Sequence, residues 1–397
     1  MEKSKTKYMK KKYFFNLLFI ASFSVHAQSD EIIKALESPP FFESSILFKS
    51  ERFPNIVVST NGTVVTTWGK ENFVSRRSVD GGKTWEPPVF IDQGINGGGL
   101  TVDENSGEII AFVEKEHPPA ALKCYRSKDN GKTWEVSPIK ISADKNGVIP
   151  SMHMNEHGIT LKNEEYKGRL IRPSRFYNAK SSAERKLMYS SAKEKMWKDQ
   201  YTNSIYSDDG GKTWQTSDPF PAKGTGEAAI VELSDGTIYY NSRRHFSSDG
   251  LNPRMRHIAT SNNGGQNWEN LYVSTELPDG EQNRDYGLMA GLDRFSFEGY
   301  DILIYSNIVS DGGRKNGTIW LSFDAGKSWP VKKVIEPLGF KYSSLAIGKE
   351  YTPSEGYVYL LYETGEGENI NAYGGGKIAR FNLSWILEGK NINRYFN

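Results

Sequence analysis

Short apolar runs, separated by polar turns that contain glycine, occupy most of the chain after residue 50. Such runs, rich in branched and aromatic residues, are typical of β-strands. The pattern predicts strands at residues 108–114, 228–233, 237–242, 301–307, 317–322 and 357–363, and two more within 55–65 around a turn at 60–63. Residues 181–198, rich in Ala, Lys, Glu and Met, are predicted to form a helix inserted over one face, and 384–388 a short terminal helix.

One polar octapeptide occurs five times, at residues 78–85, 127–134, 207–214, 261–268 and 322–329. Its pattern is Ser-x-Asp-x-Gly-x-Thr-Trp, with Asn263 replacing Asp in the fourth copy. Asp accepts hydrogen bonds from amides in a tight turn and Gly supplies positive φ, so each copy predicts a hairpin whose Ser and Trp lie on the two strands. The tryptophans that end successive copies are 49 to 80 residues apart, and each interval is long enough for about one four-stranded sheet. The spacing therefore predicts an all-β fold, a β-propeller of about six blades whose outer turns carry no chemistry.

The first 27 residues have the pattern of a secretory signal peptide. A basic stretch at 3–12 precedes an apolar stretch at 13–25, and Val25-His26-Ala27 is a small-residue cleavage site. The apolar stretch is short for a membrane span. We expect an exported protein, periplasmic or secreted, with no membrane insertion after cleavage, in which residues 28–397 form one propeller domain.

Composition excludes several classes of function. A net charge of +2 gives no overall field for nucleic acid. The single cysteine, Cys124, rules out an intrachain disulfide. No zinc, P-loop or dinucleotide motif occurs, so neither a metal nor another cofactor is predicted. The oligomeric state is left open.

Five places resemble the central pocket of the sialidase-like Asp-box (BNR repeat) superfamily, in the same order along the chain. They are Arg52-Phe53-Pro54, residues 226–233 with Glu227, Asn241-Ser242-Arg243, Arg314, and Tyr342 within 341–345. The resemblance covers nearly all of residues 28–397 and implies a six-bladed, sialidase-like β-propeller with Asp-box turns. It also implies that the three arginines bind a carboxylate, with Tyr342 as nucleophile or base and Glu227 as its partner.

The residue types fit that implication. Three guanidiniums converging on one carboxylate give planar, permanently charged recognition, which selects an acidic sugar. A Tyr beside a Glu can lose its proton to the carboxylate, and sialidases use Tyr in this way. Singly, each has an ordinary interpretation as a surface arginine, a core tyrosine or a loop carboxylate. Only their joint order favours a pocket.

One part of the chain departs from the family. The family places a catalytic Asp after the second strand of the first blade, but residues 66–77 contain none, and Glu71 lies in a short loop. His153 and His157, in the loop at 148–161, are the candidates for the missing acid or for an auxiliary base. Metal binding by this pair is disfavoured, because Gly158 and the strand-rich surroundings argue against a helix. Arg175 belongs to a basic and aromatic cluster and is a further candidate for substrate binding.

Retained arginines without the acid favour a reaction other than simple hydrolysis. Arginines that neutralise a uronate carboxylate acidify its C5 proton, which Tyr or His can remove while the C4 group leaves. The first hypothesis is therefore β-elimination on an acidic oligosaccharide, by a lyase or dehydratase, as in degradation of ulvan. An exo-sialidase-type hydrolase is the alternative, and a propeller that binds acidic glycans without catalysis is a third possibility.

Overall fold

The computed structural model describes residues 32, 35–49, 51–295, 297, 300–366 and 369–390. The predicted signal peptide lies outside these residues. Strands dominate and are arranged in five sheets that follow one another along the chain. Every strand predicted from the apolar runs is present, within three residues of its expected ends.

Four of the sheets are built from consecutive segments. The first sheet contains Asn55–Val58, Val64–Trp68, Asn72–Ser78 and Val89–Gln93. The second sheet contains Ile95–Asn96, Thr101–Val102, Ile109–Glu114, Leu122–Ser127 and Glu135–Ser137, and the third contains Lys140–Ile141, Ile159–Thr160, Leu170–Phe176, Tyr201–Ser207 and Thr213–Thr216. The fourth sheet contains Thr225–Glu232, Ile238–Arg244, Met255–Ser261 and Glu269–Pro278. All of these pairings are antiparallel except that of Lys140–Ile141 with Thr213–Thr216.

The fifth sheet joins the two ends of the chain. In spatial order it contains Gly291–Phe295, Ile302–Ile308, Lys315–Ser322, Val331–Ile347, Val358–Thr364, Gly376–Phe381 and Phe42–Phe48. The strand Val331–Ile347 pairs with Lys315–Ser322 up to Gly339 and with Val358–Thr364 from Phe340 onward. The early strand Phe42–Phe48 completes the edge beside Gly376–Phe381, so the sheet that ends the chain also uses its beginning.

The five octapeptides form turns of one design. In the first, the Ser78 hydroxyl donates to Asp80 Oδ1 at 2.8 Å, and Thr84 donates to the same carboxylate through its amide and its hydroxyl. The Gly82 amide donates to Ser78 Oγ at 2.8 Å. In the fourth copy Asn263 accepts the corresponding bonds through its amide oxygen. Each turn follows the Ser that ends a strand, as the pattern predicts.

Apolar side chains are buried between successive sheets rather than in one central core. One cluster joins the first and second sheets through Val57, Val65 and Ile109, and similar clusters follow along the chain. Another packs Ile56 of the first sheet against Tyr359 of the last. This all-β arrangement of sheets stacked face to face fits a β-propeller.

Helices are few and lie outside the sheets. The predicted helix at 181–198 is present, but as two helices, Ser182–Ser191 and Lys193–Asp199, divided at Ala192. Ser190 and Ser191 both donate their hydroxyls to the Leu187 carbonyl, which competes with the helix backbone just before the break. A 3₁₀ turn occupies Glu164–Tyr166, and the terminal helix is Leu383–Leu387. Within the described part of the chain, no helix has the length and apolar character needed to cross a membrane.

Candidate active site

Arg52, Arg243 and Arg314 surround Tyr342. The guanidinium carbons of Arg52 and Arg314 lie 5.2 and 5.4 Å from the centroid of the Tyr342 ring. Arg243 Nη1 donates to the Tyr342 hydroxyl at 3.2 Å. The structure therefore brings together three arginines and a tyrosine that are up to 290 residues apart.

Two of these arginines are held by carboxylates behind them. Arg52 makes a two-pronged ion pair with Glu363, through Nε at 3.0 Å and Nη2 at 3.1 Å. Glu363 also accepts the amide of Phe53, whose φ of 65° is unusual for a bulky residue. Arg314 Nε lies 3.9 Å from Glu281. Each guanidinium is thus fixed from one side and presents its other side to the pocket.

Local irregularities in two strands position Glu227 and Tyr342. Between Thr225 and Ala228 the strand has one residue more than its partner, and the same is true between Phe340 and Ser343. Such bulges re-aim side chains and occur next to active sites. They turn the side chains of Glu227 and Tyr342 toward Arg243.

Glu227 is the buried carboxylate of the cluster. It is 2% exposed and accepts from Arg243 Nη1 at 2.5 Å and from Arg175 Nη1 at 3.2 Å. Burial opposes ionisation of Glu227, but the charges of Arg243 and Arg175 outweigh it and hold its pKa below the ordinary value. Arg243 Nη1 also contacts Tyr342, so the arginine lies between carboxylate and phenol.

Two tyrosines lie beside Arg243, and their pKa values are shifted in opposite directions. Burial and the charge of Glu227 raise the pKa of Tyr342. Burial also works against ionisation of Tyr286, but Arg243 and Arg314 leave its pKa below the ordinary value. The Tyr286 ring lies 4.5 Å from the Arg243 guanidinium. Sequence reasoning missed Tyr286, because nothing in the polar loop around it points to the pocket.

Aromatic and histidine rings form a wall of the site that extends from Tyr342 away from the three arginines. Phe53 packs against Tyr342 with ring centroids 6.2 Å apart, and against His153 at 5.0 Å. His117 lies 4.7 Å from His153 and 5.7 Å from Tyr177. The Arg175 guanidinium, 4.4 Å from the Tyr177 ring, leads back to Glu227 and completes a ring of side chains. Neither His117 nor Tyr177 is among the site residues predicted from the sequence.

The two predicted histidines lie in different places. His153 is fully buried in the ring, with Nδ1 2.9 Å from the Asn96 carbonyl. His157 instead lines a cavity with Glu104, Asp293 and Lys349, near the opposite ends of the strands that carry Glu227 and Tyr342. His157 therefore does not join the cluster around Tyr342.

The wall histidines are neutral. Burial, followed by the charges of Arg185 and Arg175, lowers the pKa of His117 to about 3. Burial likewise lowers the pKa of His153 well below its ordinary value. Both shifts favour the neutral imidazole, which has one N–H donor and one acceptor nitrogen.

The turn that replaces the family's acid loop is short. Residues 69–71 connect Val64–Trp68 directly to Asn72–Ser78, and the Gly69 amide donates to the Arg52 carbonyl at 2.8 Å. Glu71 is exposed and shares a surface cavity with His117. The loop carrying His117 thus approaches this turn, where residues 66–77 supply no Asp.

The inserted helices cover the cluster. Trp197 packs against His245 and Tyr286, each with ring centroids 5.5 Å apart. The Tyr189 ring packs against Trp197 with centroids 5.9 Å apart, and the Arg185 guanidinium lies 5.6 Å from the Tyr189 ring. The insertion, predicted from the sequence as a helix over one face, is the roof of the site.

Several buried donors in this site have no acceptor within the described residues. They are Arg243 Nε and Nη2, Arg175 Nε, Arg185 Nε and, if protonated there, His153 Nε2. Buried donors without acceptors are costly, and charged ones more so. Such an arrangement is suited to a ligand with anionic oxygens. Among the described residues, no group of three or more His, Cys, Asp or Glu side chains is placed to hold a metal ion.

Comparison with known proteins identifies the family of the chain. The sequence profile of the BNR repeat-like domain matches residues 100–360. Two similar proteins are a sialidase of Micromonospora viridifaciens, 27% identical over 85% of this chain, and a sialidase of Bacteroides fragilis, 26% identical over 79%. The matches span 52% and 60% of those proteins' own lengths, so this chain corresponds to little more than half of each.

A solved structure, the Hadza microbial sialidase Hz136, is similar in fold. It matches with a TM-score of 0.60 and 22% identity, covering 84% of this chain and 66% of the other. The profile match extends over more than half of the sequence, and the repeat turns and the fold agree with it. The chain belongs to the BNR repeat-like domain family, within the sialidase-like superfamily.

Proposed function

We propose that this protein is a glycosidase of the exo-sialidase type that acts on a carboxylate-bearing sugar. The observation that carries the proposal is the cluster of Arg52, Arg243 and Arg314 around Tyr342, with unpaired guanidinium N–H groups inside the site. Relatives named as sialidases support hydrolysis over elimination, although elimination is the reaction that the sequence alone favours.

The proposed reaction has two displacement steps at the anomeric carbon, from opposite faces of the sugar. The Tyr342 oxygen bonds to the anomeric carbon as the bond to the leaving oxygen breaks, and the phenolic proton passes to Glu227. Water then attacks the same carbon, gives its proton to the residue that protonated the leaving group, and displaces Tyr342, whose oxygen recovers the phenolic proton from Glu227. Arg243 contacts both the phenol and the carboxylate and is placed to stabilise charge on each in turn.

In other members of the family a catalytic Asp protonates the leaving group, so here another residue must take that role. We propose His117 for this role, in preference to His157, because His117 lies in the wall of the site and its ring is partly exposed. Burial is the larger cause of the low pKa of His117, and a bound anion near Arg175 and Arg185 would weaken the second cause, the repulsion from these two charges.

A second candidate is β-elimination at a uronic acid, by a lyase or dehydratase. It is favoured by the neutral state of His117 and His153 and by the absence of Asp from residues 66–77. There a neutral histidine or Tyr342 would remove the C5 proton while the arginines hold the carboxylate. A propeller that binds acidic glycans without turnover is the remaining alternative.

Product analysis separates these functions. The protein is incubated with an aryl α-sialoside, with natural sialosides and with uronic-acid oligosaccharides such as those of ulvan, and products are weighed by mass spectrometry. Release of the aryl group, with gain of water across two fragments, supports the hydrolase. Loss of water from an intact oligosaccharide would show a dehydratase, and cleavage that forms a conjugated uronate absorbing in the ultraviolet would show a lyase. Either product would replace the hydrolase proposal with elimination. If no substrate is converted but acidic sugars bind equally to the protein and to Tyr342→Phe, the site is a binding site.

We further propose six blades, with the strand Val331–Ile347 shared between two of them, and export directed by residues 1–27. The change of pairing partner at Gly339 and Phe340 supports the blade count, and an experimental structure would test it. The acidic substrate suits a periplasmic or secreted protein of residues 28–397. N-terminal sequencing of the exported protein should begin near Gln28, and an intact Met1 would refute the processing.

A further inference from the structure

One arginine of the roof has no counter-ion. Arg185 lies on the helix Ser182–Ser191, with its guanidinium carbon 5.6 Å from the ring centroids of Tyr177 and Tyr189. No carboxylate of the described residues lies within ion-pair distance of Arg185, and its Nε is buried without an acceptor. Burial, opposed in part by the tyrosines, lowers its pKa, and Arg175 adds repulsion.

The arginines on the other side of the site differ in this respect. Arg52 is paired with Glu363, and Arg314 lies 3.9 Å from Glu281. Their charges are compensated by the protein before any ligand arrives. The Arg185 side chain is partly exposed, but its Nε is buried, so an anion bound there would compensate a charge that is partly removed from water. Arg185 therefore indicates an anion that the protein itself does not provide.

Arg175 supplies a second guanidinium beside the ring of Tyr177. Its side chain is 3% exposed, and its Nη1 donates to Glu227 while its Nε has no acceptor among the described residues. The guanidiniums of Arg175 and Arg185 approach one ring, that of Tyr177, to 4.4 and 5.6 Å. Arg175 shares Glu227 with Arg243, but Tyr177 is separated from Tyr342 by His117, His153 and Phe53 along the wall, so this pair lies beside the arginines around Tyr342 rather than among them.

We propose that Arg185 and Arg175 form a second anion subsite, which takes a sulfate ester or a second carboxylate of the substrate. The natural substrate is then an oligosaccharide with two anionic groups, one at Arg52, Arg243 and Arg314 and one beneath the roof. This inference rests on the proposed function, because the first group is the sugar carboxylate of that reaction. Two guanidiniums offering N–H groups to one tetrahedral or planar oxyanion are a common means of binding sulfate and carboxylate.

A matched pair of ligands tests the subsite. Dissociation constants are measured by calorimetry for 3′-sialyllactose and its sulfated form, and for unsulfated and sulfated chondroitin disaccharides. The protein should bind the sulfated member of at least one pair about tenfold more tightly, as expected for one added charge-assisted contact. In Arg185→Gln the preference should fall to about twofold or less, whereas Arg185→Lys should retain part of it. Lys186→Gln, which removes an exposed charge from the next residue, should keep the full preference.

Inorganic sulfate provides a test that does not depend on the carboxylate-binding arginines. Sulfate stabilises folded proteins in general, so the measured quantity is the difference in melting temperature between the protein and each variant as sodium sulfate is added. The difference should grow with sulfate for Arg185→Gln and stay constant for Lys186→Gln. Circular dichroism without sulfate establishes that both variants fold.

The two arms distinguish failure of the subsite from failure of the proposed function. If no sugar ligand binds but the sulfate-dependent difference appears, the subsite stands and the proposed function falls. Equal affinity for both members of every pair that binds overturns the subsite. So does a preference that survives in Arg185→Gln, or, if no sugar binds, the lack of a sulfate-dependent difference.

Discussion

Replacing Glu227 with glutamine removes the charge of the central carboxylate while preserving its shape. Glu227 is buried and accepts from Arg243 at 2.5 Å and from Arg175 at 3.2 Å. Glutamine can accept through its one oxygen but presents an NH₂ group in place of the other, against a guanidinium. We expect Glu227→Gln to be destabilised and to bind anions more readily than the unaltered protein.

The magnitude follows from burial of the pair. Removing one partner of a buried ion pair costs about 3–5 kcal/mol, because the remaining charge is left without compensation. Glutamine keeps one of the two acceptors, so we take the lower end, about 3 kcal/mol. With a urea dependence of roughly 3 kcal/mol per molar, the unfolding midpoint should fall by about 1 M.

The pH dependence has a definite sign. The pKa of Glu227 in the folded protein lies below its ordinary value of 4.5, so its contribution to stability is present above that value. It is lost as the pH falls through the folded pKa. The difference between the protein and Glu227→Gln should therefore be largest at neutral pH and decrease in acid.

Urea unfolding followed by circular dichroism measures this effect, with and without N-acetylneuraminate. A bound carboxylate should recover more stability in Glu227→Gln than in the unaltered protein, because it also compensates Arg243 and Arg175. Glu71→Gln is the control, since Glu71 is an exposed carboxylate whose change should stay within about 0.5 kcal/mol. Equal stability of Glu227→Gln and the unaltered protein at pH 7 would refute the electrostatic reasoning.

Three further predictions concern single groups. Tyr342→Phe should lower kcat by at least roughly 10²-fold while leaving the urea midpoint nearly unchanged, and a variant with full kcat would remove Tyr342 from the chemistry. His117→Ala should slow release of the sugar from a natural sialoside by roughly 10²-fold or more. Its effect on an aryl sialoside should be much smaller, because the aryl leaving group needs little acid, and His157→Ala should change neither rate. An equal loss of rate on both substrates would contradict an acid role for His117. Burial raises the pKa of Glu114 to about 7, so its favourable contribution is full below pH 4.5 and is lost as the pH rises through 7. Glu114→Gln should therefore be more stable than the unaltered protein by about 3 kcal/mol at pH 8, with the gain vanishing at pH 4, and an equal gain at both pH values in urea unfolding would show another cause.

Sequence reasoning succeeded where structure is set locally. The turn residues of each octapeptide bond to one another within a few positions, as Ser78 and Asp80 do, so the pattern itself contains the geometry. The apolar runs likewise define strands. The break at Ala192 was not predicted, because the composition of residues 181–198 favours a helix throughout and the interruption depends on Ser190 and Ser191 bonding to a carbonyl.

The site was predictable only in part. Arg52, Arg243 and Arg314 are recognisable from short motifs, but Glu363 and Glu281, which fix two of them, lie far away in sequence and in no motif. The two histidines of the 148–161 loop could not be assigned by spacing. Met154 has a positive φ of 59°, so the backbone turns between them, and His153 packs against Phe53 and His117 whereas His157 lines a separate cavity.

The distribution of charge supports the proposal that the pocket selects acids, whatever bond is broken. Glu363 and Glu281 lie behind Arg52 and Arg314, and they cancel charge without occupying the pocket. Only Glu227 contributes a carboxylate to the ring of side chains described around the pocket, and it is shared by two guanidiniums. The remaining N–H groups need anionic oxygens from a ligand, so neutral sugars would leave buried donors unpaired. Hydrolysis and elimination both begin with this selection, and they diverge only at the residue that gives or takes the second proton.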